Sequence, residues 1–538
     1  MNRSFVWWKH GVIYQIYPRS FLDSNGDGIG DLNGIIQRLD YLAWLGVDAI
    51  WLSPIFPSPM ADFGYDVSDY TDIHPLFGDM ETFDRLVAEG HARNLRIIMD
   101  YVPNHSSDQH PWFIESRSSR DNPKADWYYW RDAKLDGSLP NNWLSAFGGP
   151  AWAWDETRQQ YYLHSFLEEQ PDLNWQNPEV EAAMLDVMRF WLERGVDGLR
   201  MDVVFYALKH PDLPDNPPAA SKAIYQDMGE FDSQEHAYDM DWPAGRQAFL
   251  SKLRAVMDEY EDRAAIGETV FMDPSKVARY YGKNLDGLHL PFNFTLMSLP
   301  WEAGAFRQAI QRYYDAVPEG AWPNFVLGSH DEHRIATRYG AENARAAQML
   351  LLTLWGTPTM YYGDEIGMQD VPIPPERMQD PWEQRVPGLG LGRDPERTPM
   401  QWDASPNAGF AVEGVQTWLP VADDYETVNV AAQEKDPTST LNFTRALLRL
   451  RREMPALHQE GACAFVDDLP DDVLAFTRGA DGERVLVALN YGEQKHALDL
   501  SALATQGEVL LNTTNERSGE VSLGALDLHP HEAILLRA

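Results

Sequence analysis

Short apolar, strand-like runs alternate with amphipathic helical stretches along most of this chain, and that rhythm admits few folds. VIYQIY at 12–17 precedes GIIQRLDYLAWLG at 34–46, where Ile35, Leu39, Leu42 and Leu45 recur at helical spacing. VDAIWLS at 47–53, a helix over FDRLVAEGHARN at 83–94 and RIIMDYV at 96–102 continue the pattern. Strands alternating with helices of this length read as βαβ units of a parallel sheet. After Val102 the rhythm stops. The following stretch is rich in Trp, Asn, Pro, Asp and Ser with few strand candidates, QYYLHSF among them, and is too long for a structureless loop.

The alternation resumes with the helix VEAAMLDVMRFWLERG at 180–195 and the strand GLRMDVV. It runs on through strands at 264–268 and 324–328 to TPTMYYG at 357–363. A helix, LNFTRALLRLRREM, occupies 441–454, and from 462 onward short β-runs separated by turns replace the pattern. The expected class is α/β. A (β/α)8 TIM barrel is expected over 1–104 and 174–461, with an inserted subdomain after the third strand at 105–173 and a C-terminal antiparallel β-sandwich domain at 462–538.

With 538 residues, two or three domains are expected. The net charge of −38 repels polyanions at long range, so nucleic acid and anionic membranes are excluded as expected partners. Cys463 is the only cysteine, which rules out an intramolecular disulfide. MNRSFVWWKHGVIYQIYP lacks the apolar core and small-residue cleavage site of a secretory leader, and no run approaches the roughly 20 apolar residues of a membrane span. A cytoplasmic protein is expected.

Three carboxylates stand where a parallel barrel keeps its chemistry, at the C-terminal ends of its strands. They are Asp202 in GLRMDVV, Glu268 in AAIGETV and Asp331 in VLGSHDEHR. One such residue alone reads as a partner for a nearby helix N-terminus; three in register do not. Arg200 and Asp202 are two apart on a strand and share a face, so a guanidinium should hold Asp202 ionised, as a nucleophile requires. Ala264, Ala265 and Ile266 give Glu268 an apolar approach that raises its pKa, as a general acid requires. Two such carboxyls about 5 Å apart would run a retaining glycosyl displacement. Asp331, beside His330, adds a third anionic contact.

Other segments supply candidate contacts. His105 follows a strand in DYVPNHSSDQHPWF, and ADFGYDVSDY offers Asp62 and the flat ring of Tyr65. In DSNGDGIGDLNG, oxygen donors recur at Asp23, Asn25, Asp27 and Asp31, with Ile29 placed to offer its carbonyl and Gly28 at the turn. This is the spacing of the first nine positions of an EF-hand loop, although Gly34 stands where the bidentate Glu belongs. A structural Ca²⁺ or Mg²⁺ with water among its ligands is expected, and no organic cofactor.

Taken in order, DYVPNH, GLRMDVV, IGET and GSHD resemble the four signature regions of glycoside hydrolase family 13, the α-amylase family. QPDLN at 170–174, RTPMQWD at 397–403 and the Asp/Asn loop near the N-terminus match its oligo-1,6-glucosidase and α-glucosidase branch. The resemblance spans essentially the whole chain. It implies Asp202 as nucleophile, Glu268 as acid/base and Asp331 as transition-state stabiliser. The subsite for the terminal glucose would comprise Asp62, Tyr65, His105, Arg200, His330 and Arg397, with Asp62 and Arg397 paired to block its far end. Phe147 and Phe166 match aromatic residues that wall this pocket, and a closed pocket implies exo-action.

Two departures bear on the expectation. Ser329 replaces the usual Asn before His-Asp, and Val203, after the nucleophile, is associated in this branch with α-1,6 preference. KHPDLPDNPPAASKA at 209–223 resembles bacterial α-glucosidases and α-glucosyltransferases that pass glucose to alcohols or phenols. The leading expectation is a retaining, exo-acting α-glucosidase and α-glucosyltransferase on maltose-like donors, working through a covalent β-glucosyl-enzyme. Oligo-1,6-glucosidase, sucrose isomerase and trehalose synthase are the enzyme alternatives, and hydrolysis of a phosphorylated disaccharide is disfavoured by the net charge. A silent barrel like transporter heavy-chain ectodomains would lack the carboxylates and carry a membrane span, and the sequence has neither feature.

Overall fold

Side chains alternate between the two faces of a strand, and in this protein the alternation divides a barrel interior from an outer layer. The computed structural model describes residues 5–219, 228–480 and 482–538. Its first barrel strands are β1 (Ile13–Ile16), β2 (Ala49–Leu52) and β3 (Arg96–Tyr101). A separate antiparallel sheet follows, of β4 (Trp130–Arg131), β5 (Trp152–Asp155) and β6 (Gln160–Leu163), in the segment expected to be an insertion. The barrel resumes with β7 (Gly198–Met201), β8 (Ala264–Gly267), β9 (Leu290–Pro291), β10 (Asn324–Val326) and β11 (Thr357–Tyr361).

All eight barrel strands are parallel, paired in the order β10-β11-β1-β2-β3-β7-β8-β9. The inward set is apolar toward the strand N-termini, where Ile13, Ala49, Ile98, Ala264, Leu290 and Val326 pack with Trp7. Toward the C-terminal ends the same face becomes polar, with Gln15, Asp100 and Arg200 fully or almost fully buried. The outward set, including Tyr14, Ile50, Ile97, Met99, Leu199 and Met201, packs against helix residues such as Leu42, Leu86, Met188 and Leu253. One face therefore supplies the core and the other carries the site.

β9 has only two residues, ends in a proline and was not foreseen as a strand. Among the described residues, β9 and β10 are not joined by a ladder; the Asn324 side chain spans the seam instead. Its Nδ2 donates to the Pro291 carbonyl, and its Oδ1 accepts from Asn293 N at 3.1 Å.

The expected helices form with shifted ends. Met80–Ala92 starts where the Asp79 carboxylate accepts from Thr82 N, and Pro178–Glu193 is capped by Asn177 with proline in its first turn. The helix expected over 34–46 is instead two, Leu32–Gln37 and Leu39–Leu45. Arg38 leaves helical geometry between them (φ −107°, ψ 5°), and its guanidinium lies 4.1 Å from the centre of the Trp402 ring.

Beyond the barrel, six antiparallel strands from Ala462–Phe465 to Ala533–Arg537 form one sheet, and His496–Leu498 pairs with Leu526–Leu528 in a second. Ala475, Leu486, Ala488 and Ile534 face Leu498 and Leu526, while Phe476, Val485 and Val487 face the barrel's own core. This is the antiparallel C-terminal β domain. Buried Arg478 fastens it, donating to the Thr353 carbonyl at the end of the helix Ala344–Thr353. Among the described residues no helix is long and apolar enough to cross a membrane.

Asn324→Ala should therefore open the seam. Two buried backbone groups would lose their partners, lowering the unfolding free energy by about 2–4 kcal/mol; chemical denaturation would measure it, and an unchanged midpoint would refute the role.

Candidate active site

The register of the barrel strands places Asp100 beside Arg200, with both side chains inward. The Arg200 guanidinium then joins three carboxylates from three strand ends. Its Nη1 donates to Asp100 Oδ1 at 2.9 Å and Asp202 Oδ1 at 2.8 Å, and its Nη2 donates to Glu268 Oε2 at 2.6 Å. Beneath it lies the Trp51 ring, 4.9 Å away. Val203 N donates to the same Glu268 oxygen at 3.0 Å, from a backbone with φ of 33°. A β-branched residue rarely adopts this conformation, so the turn after Asp202 is strained in order to aim that N–H.

Arg200 was expected to keep Asp202 ionised. Burial outweighs it: Asp202 and Glu268 are both pushed above the usual carboxylate range, and the neighbouring negative charges push further. One positive charge shared among three carboxylates cannot hold them all ionised. Asp202 and Glu268 are linked through Arg200, which donates to both.

Asp331 has the opposite tuning. Burial works against its ionisation, but Arg397 Nη2 at 2.7 Å and Arg393 Nη1 at 3.4 Å hold the carboxyl well below the usual range. Burial keeps the adjoining His330 neutral. Its Nδ1 meets Gln15 Nε2 at 2.7 Å and its Nε2 meets the Tyr65 hydroxyl at 2.7 Å, with the Tyr65 ring stacked on it at 5.6 Å. With the Gln15 amide donating, the ring proton lies on Nε2, toward the pocket. The Ser329 hydroxyl accepts from Asp331 N at 3.2 Å, so the serine supplies a hydrogen bond to the Asp331 backbone.

One cavity is lined by Asp62, Tyr65, His105, Phe147, Phe166, Asp202, Val203, Glu268, Ser329 and Asp331. Arg200, His330 and Arg397 are buried behind this lining. The expected pairing of Asp62 with Arg397 does not occur. Asp62 Oδ1 instead binds Arg393 Nη2 at 2.8 Å, while Arg397 donates from Nε to the His330 carbonyl at 2.6 Å. The reason is reach: Asp380 grips Arg393 at 2.7 Å and turns it over the Phe147 ring at the cavity wall, whereas Arg397 lies beneath, over Tyr17.

Several contributors were missed. Asp100 lay in a recognised strand, two residues beyond Ile98 and therefore on its inward face, so period two could have found it. Gln170, in QPDLN, brings its Nε2 within 3.3 Å of Asp62 and 3.1 Å of His105. Trp382, Phe205, Tyr206 and Phe294 complete the aromatic walls and carry no local signal.

QPDLN also has a structural task. Asp172 is fully buried and accepts from Ser165 N at 2.9 Å, Asn104 Nδ2 at 3.1 Å and Lys209 Nζ at 2.8 Å. Lys209 also reaches Asn104 Oδ1 at 2.8 Å. The insertion, the third strand end and the segment after β7 thus meet at one buried ion pair. Residues 220–223 of the 209–223 stretch lie outside the described residues; its earlier part is held to the insertion by Asn141 and Trp143, which donate to Leu213 O at 3.0 Å and Pro214 O at 2.8 Å.

In the 23–31 loop, Asp23 accepts from Asn25 N at 3.0 Å, Gly26 N at 2.6 Å and Gly28 N at 2.8 Å. Asn25 accepts from Asp27 N, and Asp27 from Ile29 N, both at 2.9 Å, while Asp31 caps the next helix at Gly34 N. These are oxygen donors, each with a second lone pair, and the chemistry suits a hard cation.

The sequence profile described as Alpha amylase, catalytic domain matches residues 15–460. The chain belongs to the α-amylase family. It is 43% identical over 507 residues to a "Probable alpha-glucosidase" of Rhizobium meliloti (strain 1021), covering 92% of this chain and 91% of that one. It is 39% identical over 524 residues to an "Oligo-1,6-glucosidase" of Parageobacillus thermoglucosidasius, covering 91% of each. Among solved structures, an alpha-glucosyl transfer enzyme, XgtA, superposes with a TM-score of 0.93 at 41% identity over 99% of this chain and 100% of that one. The trehalulose synthase MutB from Pseudomonas mesoacidophila MX-45 gives 0.90 at 35% identity over the same shares.

Within this family member, Lys209→Ala should leave Asp172 buried with its counter-charge gone, at a cost of roughly 3–5 kcal/mol. Urea unfolding would read the loss, and a cost below about 1 kcal/mol would remove the ion pair from the account.

Proposed function

We propose that this protein is a retaining, exo-acting α-glucosidase that also transfers glucose from maltose-like donors to alcohol or phenol acceptors. The observation that carries the reading is Arg200 gathering Asp202 and Glu268 at a cavity that the paired Asp62 and Arg393 also line. Holding both carboxyls on one guanidinium suits a retaining displacement, in which the nucleophile and the acid/base lie close together.

In the first step Asp202 attacks the anomeric carbon of the bound glucose. The bond to the leaving oxygen breaks, that oxygen takes the proton held on Glu268, and a β-glucosyl ester remains on Asp202. In the second step Glu268 takes a proton from water or an acceptor hydroxyl, whose oxygen displaces Asp202 and restores the α configuration. Asp331, kept ionised by two arginines, grips sugar hydroxyls as the ring flattens and positive charge builds at its anomeric carbon.

Phe205, Tyr206, Val270 and Phe294 give the cavity an apolar side that suits an aromatic acceptor. The resemblance to XgtA supports transfer. The relatives named oligo-1,6-glucosidase, with Val203, keep α-1,6 cleavage as the second reading.

Incubation with maltose and a phenolic acceptor should yield a phenyl glucoside alongside free glucose. Asp202→Asn should abolish both products, while Glu268→Gln with an activated donor should accumulate a glucosyl adduct on Asp202 by mass spectrometry. Absence of any adduct would overturn the role assignment, and faster initial cleavage of isomaltose than maltose would establish the second reading.

We also propose that Asp23, Asn25, Asp27, Asp31 and the Ile29 carbonyl hold a structural Ca²⁺ or Mg²⁺, which would tie the 23–31 loop into one fixed turn. After stripping with EDTA, added Ca²⁺ should raise the melting temperature of the wild type and leave an Asp23→Ala, Asp27→Ala double variant unmoved. An equal response in both proteins would count against this site.

A further inference from the structure

Beside the cavity, a second cleft of about 180 Å³ runs from Asp331 and Arg393 to His333 and Glu396. Among the described residues, His333, Asp370 and Glu396 are the one group of three ligating side chains whose donor atoms all lie within 4.8 Å of one another. His333 Nδ1 stands 2.7 Å from Asp370 Oδ2 and 3.9 Å from Glu396 Oε2. A small ion with metal–ligand distances of about 2.1 Å spaces tetrahedral ligands about 3.4 Å apart, which lies between those two separations.

Glu396 supplies the independent observation. The residue is only 2% exposed, and its Oε2 is buried, has no hydrogen-bond partner and is aimed into the group. A buried carboxylate oxygen with no donor is costly, and natural proteins leave few. Asp370 is already fixed in place, because its Oδ1 accepts from Arg334 N at 2.9 Å and its backbone N–H donates to Thr337 Oγ1 at 2.7 Å. His333 is half-exposed, so solvent can reach the position and supply a fourth ligand.

We propose that His333, Asp370 and Glu396 form a three-ligand site for a divalent transition-metal ion of the Zn²⁺ or Co²⁺ class. One imidazole with two carboxylates suits such ions better than it suits Ca²⁺ or Mg²⁺, which prefer oxygen alone. The ion would replace the His333–Asp370 hydrogen bond, satisfy Glu396, and join the turn after β10, which carries Asp331, to the segment carrying Arg393 and Arg397. It is separate from the 23–31 loop in both place and donor chemistry.

The test uses the full chain, stripped with EDTA, dialysed, and supplied with excess Ca²⁺ to occupy sites made only of oxygen. Calorimetric titration with ZnCl₂ should show one equivalent bound, weakened about tenfold or more in His333→Ala and in Glu396→Gln. Zn²⁺ should raise the melting temperature of the wild type and leave that of His333→Ala unmoved. Co²⁺ should give the wild type a visible absorption band typical of a low-coordinate site. This measurement stands even where a variant fails to fold. Wild type that binds no Zn²⁺ at about 1 mM, variants that bind as tightly as wild type, or Co²⁺ that keeps only the weak pink absorption of its hexa-aquo ion would each overturn the site.

Discussion

A single guanidinium holds the centre of this molecule. Arg200 stands in the barrel interior at the height where apolar packing gives way to polar side chains, and it bonds carboxylates at the ends of β3, β7 and β8 at once. A buried charge is tolerable only when paired and fully hydrogen-bonded, so the three acids and the arginine require one another. The arrangement carries more negative charge than positive. Burial, with the neighbouring negative charges adding to it, lifts Asp202 and Glu268 above the usual carboxylate range. Arg397 and Arg393 give Asp331 the opposite environment a short distance away. Two carboxyl environments of opposite tuning are thereby built into one cavity.

The walls come from elsewhere in the chain. The insertion contributes Phe147 and Phe166, the turn after β7 contributes Phe205 and Tyr206, and the region before the last helices contributes Trp382 and Arg393. Lys209 and Asp172 lock the first two of these together under the cavity, and Asp380 turns Arg393 toward it. The barrel therefore supplies the carboxylate cluster at its strand ends, while excursions supply the walls of the cavity. This division is what lets a barrel change its substrate by changing its loops.

Much of this was legible in the linear chain. The three carboxylates and Arg200 on the face of Asp202 lie at the strand ends where periodicity put them, and about half of the cavity lining comes from segments that the family resemblance singled out. Seven of the eight barrel strands were marked by apolar runs. β9 was not, because two residues ending in proline make no run, and its pairing depends on β8 and on the Asn324 side chain across the seam. The arginine opposite Asp62 was misassigned because Arg393 and Arg397 lie four residues apart in one segment, and nothing local tells which of them reaches the cavity.

The sequence by itself determined the periodic features: parallel βα units, an inward face for Asp100, Arg200 and Asp202, and the order of the segments along the barrel. These follow from the two-residue repeat of a strand and from hydrophobic patterning, both properties of neighbouring residues. Tertiary structure alone decided which charges pair, how burial shifts Asp202 upward despite its arginine, and that His333, Asp370 and Glu396 converge. Such outcomes depend on distances between residues far apart in the chain and on how much water the fold removes from between them, and neither quantity is carried by local pattern.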